Sequence, residues 1–240
     1  MTELPSCARA DSDKRGLRVV HIDSIAYGDA LDLQERLWLD VVEGRSDDTL
    51  LLLEHPPTIT FGARKRPEHL VASPEALATR GIAVFETRRG GDVTCHGPGQ
   101  TVGYPILHLG DYCCDIHRYV RSLEEVVIRS LATFGISAGR IDGLTGVWVG
   151  DEKIAAIGVE VRRWVTRHGF ALNRDPDLSI FSLIVPCGIA DKGVTSMARL
   201  LGASPPRDKV EAELERNFAV VFGDRGQGIE VRDLGTVKPP

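Results

Sequence analysis

The 240-residue sequence has no apolar run long enough to cross a membrane and no excess of positive charge. Lysine and arginine total 29 against 34 aspartate and glutamate residues, and this acidic balance argues against a general affinity for DNA or RNA. Hydrophobic residues, at 42%, still supply enough apolar material for a full core. We therefore predict a globular protein that binds neither a membrane nor a nucleic acid.

Targeting and cofactor signals are also lacking. The polar, acid-containing start has neither the apolar stretch of a secretion signal nor the character of a mitochondrial targeting helix. A phosphate-binding loop and a dinucleotide-binding glycine pattern are both absent, so no nucleotide cofactor is expected. We interpret residues 1–16 as a disordered tail, 17–223 as one domain and 224–240 as a C-terminal tail, and we expect the protein in the cytoplasm.

Cysteine is scarce and odd in number, which does not fit a disulfide framework. The five are Cys7, Cys95, Cys113, Cys114 and Cys187. Reduced thiols are the simpler interpretation. The adjacent pair Cys113-Cys114 lies close to His117, but neighbouring cysteines are poor tetrahedral ligands, so we predict no metal.

Strand and helix signals alternate in the first half of the chain, and hairpin signals follow. Strands are predicted over 17–22, 49–53, 58–61, 83–87, 100–107, 146–149, 153–162 and 166–172. Helices are predicted over 26–43, from Ser73-Pro74 to Gly81, from Asp115 to Phe134 and over 208–222. This mixture predicts a single α/β domain, α+β-like in arrangement, in which helices pack against a central mixed β-sheet.

Cys187 lies in a Pro186-Cys187-Gly188 corner that interrupts the apolar run before it. A thiol at such a corner can be exposed, but it needs a neighbouring cation or base because only a few per cent is thiolate at neutral pH. Lys153 is predicted on the apolar face of its strand, where an ammonium is unexpected. These two residues are candidates for acyl transfer. The alternatives are a buried structural cysteine and a lysine that begins its strand and reaches water.

A glycine-rich loop and two small-residue stretches complete the candidate site. The loop is Arg89-Gly90-Gly91-Asp92-Val93-Thr94-Cys95-His96-Gly97-Pro98-Gly99-Gln100, and the stretches are Ala156-Ile157-Gly158 and Gly169-Phe170-Ala171. Such a loop can bend around a bound chain. The stretches form either the floor of a slot for an alkyl chain or a surface on which a helix packs tightly against the sheet. His96 is a base, a donor or a group that orients the loop.

Two clusters of basic residues, Arg64-Lys65-Arg66 and Arg162-Arg163, stand out in a sequence of negative net charge. The simpler interpretation is a solvated surface. The alternative is a patch on which an acidic protein partner docks.

The sequence resembles the octanoyltransferases of lipoate biosynthesis, the lipoyl(octanoyl) transferase family, in segments that follow family order over roughly residues 17–223. These are Glu54-His55-Pro56-Pro57, the 89–100 loop with Tyr104-Pro105, Asp142-Gly143, Gly146-Val147-Trp148, Lys153 to Val159, Thr166 with His168 to Asn173, and Ile184 to Ile189. Cys95 departs from the aromatic residue usual in the family.

The resemblance implies a biotin/lipoate ligase-like catalytic fold and a reaction that needs no cofactor. Cys187 would accept an octanoyl group from octanoyl-acyl carrier protein as a thioester, while Lys153 lowers the pKa of the thiol and moves protons. The acceptors would be lysines on lipoyl domains of 2-oxoacid dehydrogenase complexes and on the glycine-cleavage H protein. The substrate would be lined by residues 89–96, 156–158 and 169–171.

Three other functions stay open at this point. An ATP-dependent lipoate or biotin protein ligase on the same fold needs no cysteine nucleophile. A non-catalytic module would only bind an acyl carrier or a lipoyl domain. A cysteine hydrolase would release free octanoate whether or not an acceptor is present.

Overall fold

A computed structural model describes residues 16–185 and 192–223 and the backbone of 231–236. The predicted N-terminal tail, apart from Gly16, lies outside these residues, as does Cys187.

Five α-helices are found in this part of the chain, and four of them match the predicted ones within a few residues. They are α1 (Tyr27–Val42), α2 (Pro74–Thr79), α3 (Ile116–Thr133), α4 (Met197–Leu201) and α5 (Arg207–Gly223). Ser73 and Asp115, at which two of the predicted helices begin, are the N-caps of α2 and α3. Ser73 Oγ accepts a hydrogen bond from the Ala76 amide, and Asp115 Oδ1 accepts one from the Arg118 amide at 3.1 Å. These contacts use amide donors that a helix leaves unpaired in its first turn.

Twelve strands form the sheets of the described part. They are β1 (Leu17–Ile22), β2 (Asp48–Leu53), β3 (Thr58–Phe61), β4 (Ala83–Glu86), β5 (Val93–His96), β6 (Gln100–Ile106), β7 (Gly139–Ile141), β8 (Leu144–Val149), β9 (Glu152–Arg162), β10 (Val165–Asn173), β11 (Gly193–Val194) and β12 (Val231–Thr236).

The larger sheet has nine strands in the order β12-β1-β2-β6-β10-β9-β8-β7, and β11 pairs with β9. Strands β12, β1 and β2 are parallel, whereas β6, β10, β9, β8 and β7 continue antiparallel from β2. The prediction of a central mixed sheet in one domain is confirmed.

Alternation along β2 explains why both faces of this sheet are covered. Leu50 and Leu52 belong to the core with α3 and α5, whereas Leu51 and Leu53 belong to the core with α1. Successive strand residues point to opposite faces, so the unbroken apolar run of β2 is buried on both sides.

Three short elements, β7, β11 and α4, were not predicted, and two further features differ from the prediction. The 89–100 segment, expected as a loop, contains β5, which joins β3 and β4 in a second, three-stranded sheet. Residues 231–236, expected within a tail, form β12 beside β1. Their sequence, Val-Arg-Asp-Leu-Gly-Thr, has no apolar run that would predict a strand. The strand lies at the edge of the sheet, where its backbone pairs with β1.

The prediction of reduced thiols holds for Cys95 and Cys113 but is wrong for Cys114, which is disulfide-bonded. The described helices include none that is long and apolar enough to cross a membrane.

Candidate active site

A cavity of about 690 Å³ opens between the glycine-rich loop, the start of α3 and the strands β9 and β10. Its lining contains Lys153 and every predicted substrate-lining residue except Cys95. These are Arg89, Gly90, Gly91, Asp92, Val93, Thr94, His96, Ala156, Ile157, Gly158, Gly169, Phe170 and Ala171. Residues predicted from three separate segments therefore meet around one space.

Cys95 faces a different environment. It is fully buried in an apolar cluster with Ile59 and Leu77, and its Sγ donates to the carbonyl of Ile180 at 3.4 Å. Burial raises the pKa of this thiol well above its ordinary value. A thiol that stays protonated is a poor nucleophile, so Cys95 is unsuited to form a covalent intermediate.

Arg89 holds the loop in shape. Its guanidinium is buried and donates to the Thr60 carbonyl at 2.7 Å, to Thr60 Oγ1 at 2.9 Å and to the Asp92 carbonyl at 3.1 Å. These bonds tie the loop to β3. The Arg89 side chain therefore shapes the cavity wall through hydrogen bonds to Thr60 and to the backbone of Asp92.

The two small-residue stretches pair directly across β9 and β10, with Gly158 opposite Gly169 and Ala156 opposite Ala171. Glycine is required at positions 158 and 169 because neighbouring backbone approaches them closely. A Cβ on Gly158 would lie 2.7 Å from the Gly90 carbonyl oxygen, and one on Gly169 would lie 2.2 Å from the Gly103 carbonyl oxygen. The segments line the cavity, and their glycines make room for the backbone of the glycine-rich loop and of β6 rather than for a helix. The slot for an alkyl chain stays a prediction.

Three histidines form a buried group at this cavity, which we call the histidine cluster: His55, His96 and His168. Burial lowers the pKa of His55 to about 4 and the pKa of both His96 and His168 to about 3. The imidazoles are therefore neutral near pH 7. Of these three histidines, His96 and His168 line the cavity. His55 does not, and its ring centroid lies 5.6 Å from that of His96.

Hydrogen bonds define the tautomer of His55. A carbonyl oxygen can only accept, so Nδ1 of His55 donates to the Ile25 carbonyl at 2.8 Å. Nε2 then accepts from the Tyr104 hydroxyl at 2.9 Å. Burial also raises the pKa of Tyr104 well above its ordinary value, so this hydroxyl stays protonated and able to donate.

His168 adopts an uncommon backbone conformation, with φ at +57°. Its amide donates to Oε1 of the buried Gln34 in α1 at 2.8 Å, and its ring packs against Tyr104 with centroids 6.0 Å apart. Its Nδ1 is buried without a hydrogen-bond partner among the described residues. A left-handed conformation at a non-glycine residue costs free energy, so the surrounding contacts must hold His168 in place.

A chain of hydrogen bonds runs from His96 to the backbone of Lys153. The Gln100 amide nitrogen donates to Asn173 Oδ1 at 2.9 Å, so Gln100 Oε1 accepts from His96 Nδ1 at 2.7 Å. Asn173 Nδ2 donates to the Thr195 carbonyl at 3.0 Å, and the Thr195 amide donates to the Lys153 carbonyl at 3.0 Å. His96 thus orients the loop, one of the roles predicted for it.

The Lys153 ammonium lies 4.8 Å from the centre of the Trp148 ring, within the range of a cation–π interaction. A Cβ on Gly146 would come within 3.3 Å of Lys153 Cε, so the missing side chain leaves room for the lysine. The Gly146 amide donates to the fully buried Glu124 at 3.1 Å, and Arg121 and Arg140 also donate to this carboxylate.

Among the lining residues that were not singled out from the sequence are Tyr27 and Glu124. The sequence did contain a signal for Glu124, because it lies between Leu123 and the apolar pair Val126-Val127 in the predicted helix. The structure buries it with these residues. No group of three or more histidine, cysteine or acidic side chains that could hold a metal exists within the described ranges.

Comparison with known proteins gives a consistent result. Residues 26–219 match the lipoyl protein ligase A/B catalytic domain family. An octanoyltransferase of Chloroflexus aggregans is 54% identical over 211 residues, which cover 87% of this chain and 96% of that protein. An octanoyltransferase of Caldicellulosiruptor saccharolyticus is 50% identical over 220 residues, covering 91% and 94%.

Solved structures extend the likeness to the fold. Lipoate-protein ligase A bound with ATP superposes with a TM-score of 0.70 at 19% identity, covering 93% of this chain and 90% of that one. The bipartite lipoate protein ligase of Thermoplasma acidophilum gives a TM-score of 0.67 at 19% identity, covering 93% and 88%. The predicted ligase-like fold is confirmed, and the chain belongs to the octanoyltransferase family, the acyltransferases of lipoate biosynthesis.

Proposed function

We propose that this protein transfers an octanoyl group from octanoyl-acyl carrier protein to the lysine amine of a lipoyl domain. The observation that carries the proposal is that Lys153, the glycine-rich loop and the paired strands β9 and β10 line the same cavity. Membership of the octanoyltransferase family supports the same reaction.

In the first step, the Cys187 thiolate attacks the carbonyl carbon of the octanoyl thioester. A new carbon–sulfur bond forms, the bond to the carrier sulfur breaks, and the departing thiolate takes a proton from the Lys153 ammonium, which leaves the Lys153 amine neutral for the second step. An ordinary thiol has a pKa of about 8.5, so the nucleophile needs a neighbouring cation. Lys153 supplies that cation in this proposal; the chain of hydrogen bonds from His96 fixes its backbone, and the Trp148 ring lies 4.8 Å from its ammonium.

In the second step, the neutral amine of the acceptor lysine attacks the acyl-enzyme. A carbon–nitrogen bond forms, the Cys187–acyl bond breaks, and the amine loses a proton, which Lys153 can relay. Conversion of a thioester to an amide is downhill, so neither step needs ATP. The acceptors proposed are lipoyl domains of 2-oxoacid dehydrogenase complexes and the glycine-cleavage H protein, and the proposed compartment is the cytoplasm.

Intact-mass analysis after incubation with octanoyl-acyl carrier protein tests the proposal. We expect one octanoyl mass on the wild-type protein and none on Cys187→Ala. Cys95→Ala is the matched control and keeps the adduct, because the buried Cys95 thiol stays protonated. Lack of a wild-type adduct, or its persistence in Cys187→Ala, would contradict the mechanism.

A kinetic comparison tests the role of Lys153. We expect Lys153→Ala to slow the acylation step about a hundredfold, as is typical for loss of an acid–base group. Its affinity for the carrier protein should change far less. Equal losses in rate and affinity would mean that Lys153 docks the carrier instead.

The alternatives predict different products. An ATP-dependent ligase would form octanoyl-lipoyl domain from free octanoate and ATP, whereas a hydrolase would release octanoate without an acceptor. A binding module would keep its whole function in Cys187→Ser.

A further inference from the structure

The basic segment Arg64-Lys65-Arg66 lies directly after β3, and Arg64 and Arg66 both line the cavity while remaining exposed. Residues that are exposed and also line a cavity lie at its rim. The basic segment therefore borders the opening of the space into which the acyl group is proposed to enter.

The backbone of this segment is fastened to the glycine-rich loop. The Arg64 amide donates to the Gly91 carbonyl at 3.0 Å, and the Arg66 amide donates to Asp92 Oδ1 at 3.0 Å. The other carboxylate oxygen of Asp92 is hydrogen-bonded to His69 Nδ1. The backbone of both arginines is therefore fixed. Less conformational entropy would be lost when the two side chains bind an anion.

Neither arginine has an acidic partner within the part of the chain that the structure describes. Lys65 between them pairs with Glu86, and Arg121 across the cavity pairs with Glu124. Within those described residues, no acidic side chain pairs with the two guanidiniums at the rim, although the protein as a whole has a net charge of −5. Planar guanidinium groups match the geometry of phosphate oxygens and bind them bidentately.

The segment also lies next to the chain that leads to the proposed nucleophile. After the basic segment comes a turn, Pro67–His69, whose last carbonyl accepts from the Val185 amide at 2.8 Å. Val185 stands two positions before Cys187 in the sequence. Backbone hydrogen bonding therefore ties the turn after the basic segment to the chain that precedes the proposed nucleophile in the sequence.

We propose that Arg64 and Arg66 form a binding site for the phosphodiester of the phosphopantetheine arm that carries the acyl group. This inference rests on the proposed function, since the arm is the part of an acyl carrier protein that brings its thioester to an enzyme. The site recognises the arm and leaves the acyl group to the cavity.

Binding of two non-reactive thioethers, S-octyl-4′-phosphopantetheine and S-octylpantetheine, tests the site by calorimetry. We expect the wild-type protein to bind the phosphorylated compound roughly tenfold more tightly, as two exposed ion pairs allow. The preference should fall to near unity in Arg64→Gln/Arg66→Gln and weaken with added salt.

The matched control is Arg88→Gln/Arg118→Gln. It removes the same charge from two exposed arginines that do not line the cavity, and it should keep the preference. Equal binding of both compounds by the wild type, or an unchanged preference in the Arg64/Arg66 variant, overturns the proposal. Equal binding together with a raised KM for octanoyl-acyl carrier protein in that variant also overturns it, because the arginines would then recognise the carrier's acidic side chains.

These outcomes are separate from those of the acylation test. Binding of a thioether needs no nucleophile, so a phosphate preference without a Cys187 adduct would remove the proposed reaction and leave the phosphodiester site standing.

Discussion

The histidine cluster and the basic segment belong to the same cavity but treat charge in opposite ways. The cluster is buried and its imidazoles are neutral, and hydrogen bonds hold both ring nitrogens of His55 and Nδ1 of His96. The basic segment is exposed and presents two guanidiniums at the rim without acidic partners in the described part of the chain. The cavity wall is therefore neutral at the histidine cluster, whereas the rim carries two guanidiniums.

This difference fits the two ends of an acyl-carrier thioester. An alkyl chain gains from a wall without charge, because an ion buried beside it would have to be desolvated. A phosphodiester gains from a solvated rim where charges stay hydrated until they pair. The comparison also predicts which region governs stability and which governs recognition.

Acidification should have the largest effect, and it acts through the histidine cluster. The pKa of each imidazole is lowered from 6.5 to about 3 or 4 in the folded protein, so below pH 6.5 the unfolded chain binds protons that the folded protein does not. The free energy of unfolding should therefore fall between pH 6.5 and about 4, by up to about 1.4 kcal/mol per pH unit for each histidine. Urea unfolding at pH 7, 6 and 5 measures this loss.

Two variants sharpen this measurement. His168→Gln should reduce the pH dependence by about one proton, whereas His117→Gln, at an exposed position, should leave it unchanged. A free energy of unfolding that is equal at pH 7 and pH 5 would show that the cluster does not stay neutral in the fold.

The contact between the glycine-rich loop and β9 should give an intermediate effect, because this loop supports both regions. In Gly158→Ala the new methyl group would meet the Gly90 carbonyl at 2.7 Å and Arg89 Cδ at 3.2 Å. We expect a loss of about 1–3 kcal/mol in the free energy of unfolding, typical of overpacking. Thermal unfolding is the measurement.

The matched control is Gly139→Ala in β7, where a Cβ would meet no atom within 4 Å. That substitution should change the free energy of unfolding by no more than about 0.5 kcal/mol. Similar losses in both variants would mean that close approach of the loop is not what requires glycine at position 158.

Local patterns predict most of the fold because they report local causes. Apolar alternation, helix caps and glycine stops place α1, α3, α5 and most strands within a few residues. Strand β5 was missed because its sequence, Val93 to His96, lies among glycines and has no long apolar run. Strand β12 depends on pairing with β1 at the far end of the chain, which no local pattern reports.

The site could be predicted only in part for a similar reason. Glycines, a loop and a lysine in an apolar strand are visible in the sequence, and they do line the cavity. The pairing of Gly158 with Gly169 and the burial of Glu124 depend on register and on packing between distant segments. The positive φ of His168 could not be predicted either, because histidine rarely adopts this conformation and nothing in the local sequence indicates it.

The smallest effect on stability is expected at the basic segment, and it distinguishes the rim from the interior. Arg64→Gln/Arg66→Gln keeps the backbone hydrogen bonds to Gly91 and Asp92, since these use main-chain amides. We expect the free energy of unfolding to stay within about 0.5 kcal/mol of the wild type and its pH dependence to be unchanged. Urea unfolding at pH 7 and pH 5 is the measurement, in the same series as His168→Gln. A substantial loss at either pH would mean that the arginines support the loop, so that their side chains are not free to bind an anion.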